Sequence, residues 1–150
     1  MRKSLLIALT AILLVGAIPA FAQLDGNWIG QGKGVCSPPI GSTDFPIYAW
    51  QTWKGQIKGD DFWGTWSDEN GRFGNFKGKI IVISPEEAYC EGEWTWVYGP
   101  DTDPPQEYLM GPFQMKFVYF PVETPYCNGK WQTYYSNEAG SMKGRMIWTD

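Results

Sequence analysis

Histidine is absent from this 150-residue chain. That removes both the commonest general base and the commonest metal ligand. A Ser-His-Asp or Cys-His nucleophile is excluded on the same ground. The three cysteines, Cys36, Cys90 and Cys127, are too scattered to form a zinc site. Acid–base chemistry would have to rest on carboxylates. Glu91 and Glu93 flank the start of an extended segment, and Asp60, Asp61, Asp68 and Glu69 sit at turns. A glycosidase needs two such groups at a set separation across a cleft, whereas acidic residues in turns ordinarily serve as solvated turn formers. Asp101 and Asp103 carry oxygens of the kind Ca²⁺ takes, but two carboxylates in a Pro-rich loop are a thin ligand set. No catalytic residue, metal or cofactor is assigned. The reading is a non-enzyme, with a carboxylate-dependent hydrolase as the least favoured alternative.

Binding chemistry is better supplied. Nine Trp and eight Tyr all follow residue 22. Such rings stack on sugars and bury apolar ligands. Trp50 and Trp53 are three residues apart, as are Trp63 and Trp66, so within a strand they fall on opposite faces. At least one of each pair is then expected to face outward or to line a loop mouth. The candidate ligand contacts are Trp50, Trp66, Trp94, Trp96, Tyr98 and Trp131. They point to a binding module for a small apolar ligand or a glycan. The alternative is a structural or protein-interaction component of the cell envelope.

Those rings recur in a pattern. Gly-x-Trp occurs at Gly26–Trp28, Gly64–Trp66, Gly92–Trp94 and Gly129–Trp131, and is extended to Cys-x-Gly-x-Trp at Cys90 and Cys127. A second pattern sets a bulky residue before Lys-Gly, at Trp53, Phe76 and Met142. The two combine into a repeated unit over residues 64–82 and 129–148. Each copy has a turn signal in its middle, at Ser67-Asp68-Glu69-Asn70-Gly71 and Ser136-Asn137-Glu138-Ala139-Gly140. A repeated β-hairpin has this form. A strand glycine leaves room for a neighbouring aromatic, and Trp two residues later lies on the same face. Gly26, Trp28, Gly64, Gly92 and Gly129 are therefore assigned structural roles.

Period-2 alternation runs through Trp94-Trp96-Tyr98, Phe113-Met115-Phe117-Tyr119 and Trp131-Thr133-Tyr135. Eighteen Gly and eleven Pro argue against long helices. The fold class is all-β, an antiparallel meander of about eight strands near 25–34, 46–57, 61–67, 73–83, 88–98, 107–119, 129–136 and 142–149. Closure into a barrel removes exposed edges and is favoured; a two-sheet sandwich is the alternative.

Residues 1–22 read as a cleaved secretory signal, with Arg2 and Lys3 before an apolar run and Ala20-Phe21-Ala22 at the cleavage point. Residues 23–150 then form one all-β domain, secreted or periplasmic. No later segment is apolar and long enough for a transmembrane helix. Losing Arg2 and Lys3 makes the remainder more acidic than the −4 of the full chain. No basic stripe runs along the sequence, so nucleic acid and anionic lipid are not expected partners. In an oxidising compartment two of the three cysteines are expected to pair. Cys90–Cys127 is favoured because both open the extended motif, which leaves Cys36 over.

Gly26-Asn27-Trp28 resembles the Gly-x-Trp that opens lipocalins and avidins, and Phe62-Trp63-Gly64-Thr65-Trp66 is similar to the Gly-Thr-aromatic step of avidin strands. This calycin-type resemblance implies a barrel. It also implies that Arg145, on the last strand, stacks over Trp28 at the barrel base by a cation–π contact.

Overall fold

The computed structural model describes residues 23–39, 45–98 and 104–148. The expected leader and the Asp101-Thr102-Asp103 loop lie outside these residues. Eight strands follow in order: β1 (Gly26–Lys33), β2 (Thr52–Lys58), β3 (Asp61–Ser67), β4 (Phe73–Val82), β5 (Glu87–Tyr98), β6 (Gln106–Val118), β7 (Tyr126–Gln132) and β8 (Ala139–Ile147). Each pairs antiparallel with its neighbours in sequence. β8 returns to pair with β1, so the sheet closes into a barrel. The sandwich alternative is thereby set aside.

One rule governs the interior. Nearly every large inward side chain stands directly opposite a glycine on an adjacent strand. Trp53 faces Gly30, Phe76 faces Gly64, and Trp66 faces Gly74. Phe113 faces Gly92, Trp94 faces Gly111, Met115 faces Gly129, and Trp131 faces Gly140. The fit is tight. A Cβ built on Gly64 would lie 2.1 Å from the Lys54 carbonyl oxygen and 2.6 Å from the Phe76 ring. One on Gly140 would lie 2.3 Å from the Trp131 ring. An eight-stranded barrel has an interior only just wide enough for side chains, and rings this large fit because the opposite position has none.

Three expected strands change, the eighth beginning at Ala139 and ending at Ile147, earlier than expected at both ends. Residues 46–51, read as the start of the second strand, are not part of it, because Trp50 takes a left-handed backbone conformation with φ 60°. The seventh strand begins at Tyr126 and ends at Gln132, earlier than expected at both ends. The Cys-x-Gly-x-Trp motif lies wholly inside it. It stops where the Thr133 hydroxyl bonds to Ser136 at 2.7 Å, turning the chain.

The interlock predicts that Gly64→Ala destabilises the domain by about 3 kcal/mol or more, since the new methyl meets backbone and ring together. Gly59→Ala has open space and loses only about 1 kcal/mol, from its φ of +62°. Urea denaturation of the two variants checks the contrast.

Candidate functional site

Four of the six expected ligand contacts are buried inside the barrel. Trp50, Trp66, Trp94 and Trp131 are at most 1% exposed. Trp94 makes edge contacts with Trp66 at 5.8 Å and with Trp131 at 5.4 Å between ring centroids. Trp66 donates its indole N–H to the Thr95 carbonyl at 2.8 Å, and Trp94 donates to Gln132 at 3.0 Å. The indole N–H groups of Trp50, Trp53 and Trp131 are buried without a hydrogen-bond partner, so packing alone holds those rings. The interior is aromatic-rich, its buried rings packed against one another. Trp96 and Tyr98 come together elsewhere, where β5 ends and β6 begins, with Tyr108 stacked on Trp96 at 6.0 Å. Trp96 is buried and Tyr98 is exposed.

Trp50 is a plug rather than a strand residue. It stacks on Phe76 at 4.6 Å and approaches Phe113 at 5.1 Å. Of the expectation that one of Trp50 and Trp53 faces outward or lines a loop mouth, the outward alternative fails, because both rings are buried; Trp50 lies in the connection between β1 and β2 rather than in a strand. The connection carrying it is latched by the two turns that the sequence repeat marked. On one side the buried Asp68 carboxylate accepts the N–H groups of Asn70 and Arg72, each at 2.9 Å, and pairs with the Arg72 guanidinium. Arg72 in turn bonds the Pro46 carbonyl and lies 3.5 Å over the Phe45 ring. On the other side Glu138 accepts the Ser37 N–H at 2.8 Å, and Tyr135 donates to the Ser37 carbonyl at 2.5 Å.

The structural glycines lie where the repeat implied. Gly64, Gly92 and Gly129 turn inward against Phe76, Phe113 and Met115, and Gly26 opens β1 with φ 145°. Trp28 closes the base of the barrel and donates to the Leu24 carbonyl at 3.0 Å. The expected Arg145–Trp28 stack does not form. Arg145 is exposed on the outer face, opposite Ile29 and Tyr126, whereas Met146 is the residue opposite Trp28. A shift of one residue along a strand exchanges the inner and outer faces.

The expected disulfide is also absent: Cys36, Cys90 and Cys127 are all buried free thiols. Cys90 lies on β5 and Cys127 on β7, with β6 between them. Two strand spacings come to about 9 Å, beyond the roughly 7 Å over which Cα atoms can be bridged. Burial pushes the Cys36 and Cys90 thiols up to about 12, and raises Cys127 as well.

Other aromatic side chains stand on the outside of the barrel. Trp63, the other member of its pair with Trp66, is 40% exposed. It stands in a groove of about 660 Å³ across β1 to β4, with Asn27, Lys54, Gln56, Thr65 and Lys77 around it. Gln56 and Lys77 are its direct cross-strand partners. Sequence reasoning recognised that the 63/66 pair splits between faces but selected the inner ring. The signal that separates them is the glycine parity: Trp66 shares a face with Gly64, and Trp63 does not.

A neighbouring groove brings Asp61, Glu91 and Glu93 together beside Trp63. Each carboxylate is engaged. Asp61 pairs with Lys79, Glu91 accepts from Tyr89 at 3.3 Å, and Glu93 accepts from Tyr134 at 2.8 Å. Among the described residues no group of three or more His, Cys, Asp or Glu is placed to hold a metal ion.

Comparison with protein-family models, with curated proteins and with solved structures finds no match for this chain.

The thiols give a pH prediction. Their pKa values are raised in the folded state, so they stabilise the fold fully below about pH 8.5, the unfolded thiol value. That contribution falls as pH rises towards about 12, the value reached by Cys36 and Cys90. Denaturation midpoints should drop steadily across this range in the wild type and less in a Cys36→Ser/Cys90→Ser variant. At pH 8 a thiol reagent should label none of the three cysteines in native protein and all three in guanidinium chloride.

Proposed function

We propose that this chain is an exported, non-catalytic binding module that holds a carbohydrate chain on the outside of its barrel. The observation that carries the reading is Trp63, an exposed indole in an open groove bordered by amide, hydroxyl and ammonium groups. A flat ring of this kind takes the apolar face of a sugar, and the surrounding donors and acceptors take its hydroxyls. The buried rings, packed against one another inside the barrel, argue in the same direction, because a small apolar ligand would have to displace them. Engagement of Asp61, Glu91 and Glu93 by Lys79, Tyr89 and Tyr134 supports binding over hydrolysis, since none is left free as an acid–base pair. The basic n-region, apolar run and small-x-small site at residues 1–22 support export.

A second reading, protein association in the envelope, draws support from one end of the barrel. Ile81, Ile83, Phe120 and Trp148 are each more than half exposed there, an apolar rim suited to a partner surface.

A panel of soluble polysaccharides, titrated against intrinsic fluorescence, tests the first reading. Trp63 should respond on binding, and Trp63→Ala should weaken affinity roughly tenfold or more, the size of an aromatic anchor contact. The melting temperature should be nearly unchanged, because that ring is not in the core. A flat response over neutral and acidic glycans alike, with concentration-dependent self-association, would favour the rim instead.

A further inference from the structure

The closed barrel sorts charge in a way the linear sequence conceals. β7, β8, β1 and β2 are consecutive around the barrel. Their residues contain no Asp or Glu at all, yet they carry Lys130, Lys143, Arg145, Lys33, Lys54 and Lys58. All six side chains are exposed. Among the described residues none of the six makes an ion pair. The opposite half, β3 to β6, holds Asp61, Glu87, Glu91, Glu93 and Glu107. In a chain of net charge −4, four adjacent strands thus carry cations and no carboxylate, with Asp25, Asp60 and Glu138 in the segments that border them.

The register arranges that face in rows. Lys130, Ser141 and Lys33 are successive cross-strand partners. So are Asn128, Lys143 and Gln31, and so are Tyr126, Arg145, Ile29 and Lys54. Cations such as Lys130 and Lys33, or Arg145 and Lys54, therefore stand two strands apart, about 10 Å, with a hydroxyl, amide or apolar group between them. Two connected grooves of about 440 and 480 Å³ run along β7, β8 and β1 and share Gln31, Asn128 and Lys143. The first adjoins the Trp63 groove at Ile29.

We infer that this face binds an acidic polysaccharide, a chain bearing uronate or sulfate groups. The inference rests on the carbohydrate reading and names the ligand class for it. Charge complementarity selects an anion. Widely spaced cations interleaved with Gln, Asn and Ser match a polymer that carries a charge every sugar or two and hydroxyls in between. Duplex nucleic acid, with a charge about every 1.7 Å, calls for a denser basic track. A membrane surface calls for apolar side chains standing clear of the sheet, and among the described residues these four strands offer only Ile29, Tyr126 and Ile147, none more than 40% exposed, with Trp148 past the end of β8 on the rim.

Matched polymers with and without charge test the inference: polygalacturonate against its methyl ester, and dextran sulfate against dextran, with duplex DNA as a further arm. The wild type should bind at least one charged polymer roughly tenfold more tightly than its neutral counterpart, with affinity falling as salt rises. Lys143→Gln/Arg145→Gln should lose most of that preference, roughly tenfold for two surface charge contacts. Lys79→Gln, on the acidic half, should leave it unchanged. Equal, Trp63-dependent binding of charged and neutral members would overturn the charge inference and leave the carbohydrate reading intact. Binding to DNA as tight as to either acidic polymer at the same ionic strength would overturn it in favour of nucleic acid. Binding to no polymer, with all variants folded by circular dichroism, would overturn both readings.

Discussion

The structure depends on a steric complementarity: a large ring on one strand and no side chain on the strand opposite. Closing eight strands produces a narrow interior. Trp53, Trp66, Trp94 and Trp131 would not fit it against ordinary side chains. Opposite Gly30, Gly74, Gly111 and Gly140 they do. The same arrangement explains why Trp is common in so short a chain. Each indole fills a space that two aliphatic residues would otherwise share, and its burial removes a large apolar area from water. Because the rings and holes come from adjacent strands, the packing also fixes register. A slip of one residue would take each ring off its glycine and turn the aromatic face to solvent.

The same complementarity closes the mouth. The connection between β1 and β2 brings Trp50 down onto Phe76 and Phe113, completing the aromatic core from above. Its left-handed φ is strained for a bulky residue. The Asp68–Arg72 turn and the Ser37–Glu138 contact hold the connection that carries it. These latches come from the turns of the two copies of the repeated hairpin, so the repeat supplies both barrel wall and lid anchors. Leu24 and Trp28 close the other end. Trp63 and the cationic strands lie on the outer surface of the barrel packed in this way.

Much of this architecture was legible along the chain. Period-2 alternation and turn signals marked eight strands, and Gly-x-Trp identified the architectural glycines at Gly64, Gly92 and Gly129. The boundary at 46–51 was not legible, because residues around Trp50 have strand composition and only tertiary packing forces the left-handed turn. The binding surface was half legible. Parity placed Trp63 and Trp66 on opposite faces, but parity within a strand does not say which face is inside. The shared face of Gly64 and Trp66 is the clue that decides it. The cysteine pairing was misleading, since matching local motifs on β5 and β7 say nothing of the strand that separates them.

By itself the sequence determined the class of structure and the chemistry it can host. Alternation demands strands, glycine and proline forbid long helices, and the lack of histidine removes His-dependent catalysis. Those constraints act over a few residues, where spacing along the chain and spacing in space are the same thing. Barrel closure decided the rest. It packed rings into the interior, kept the thiols apart, and gathered six cations onto four adjacent strands that carry no carboxylate. That gathering depends on which strand lies beside which, and β8 meets β1 only when the sheet closes.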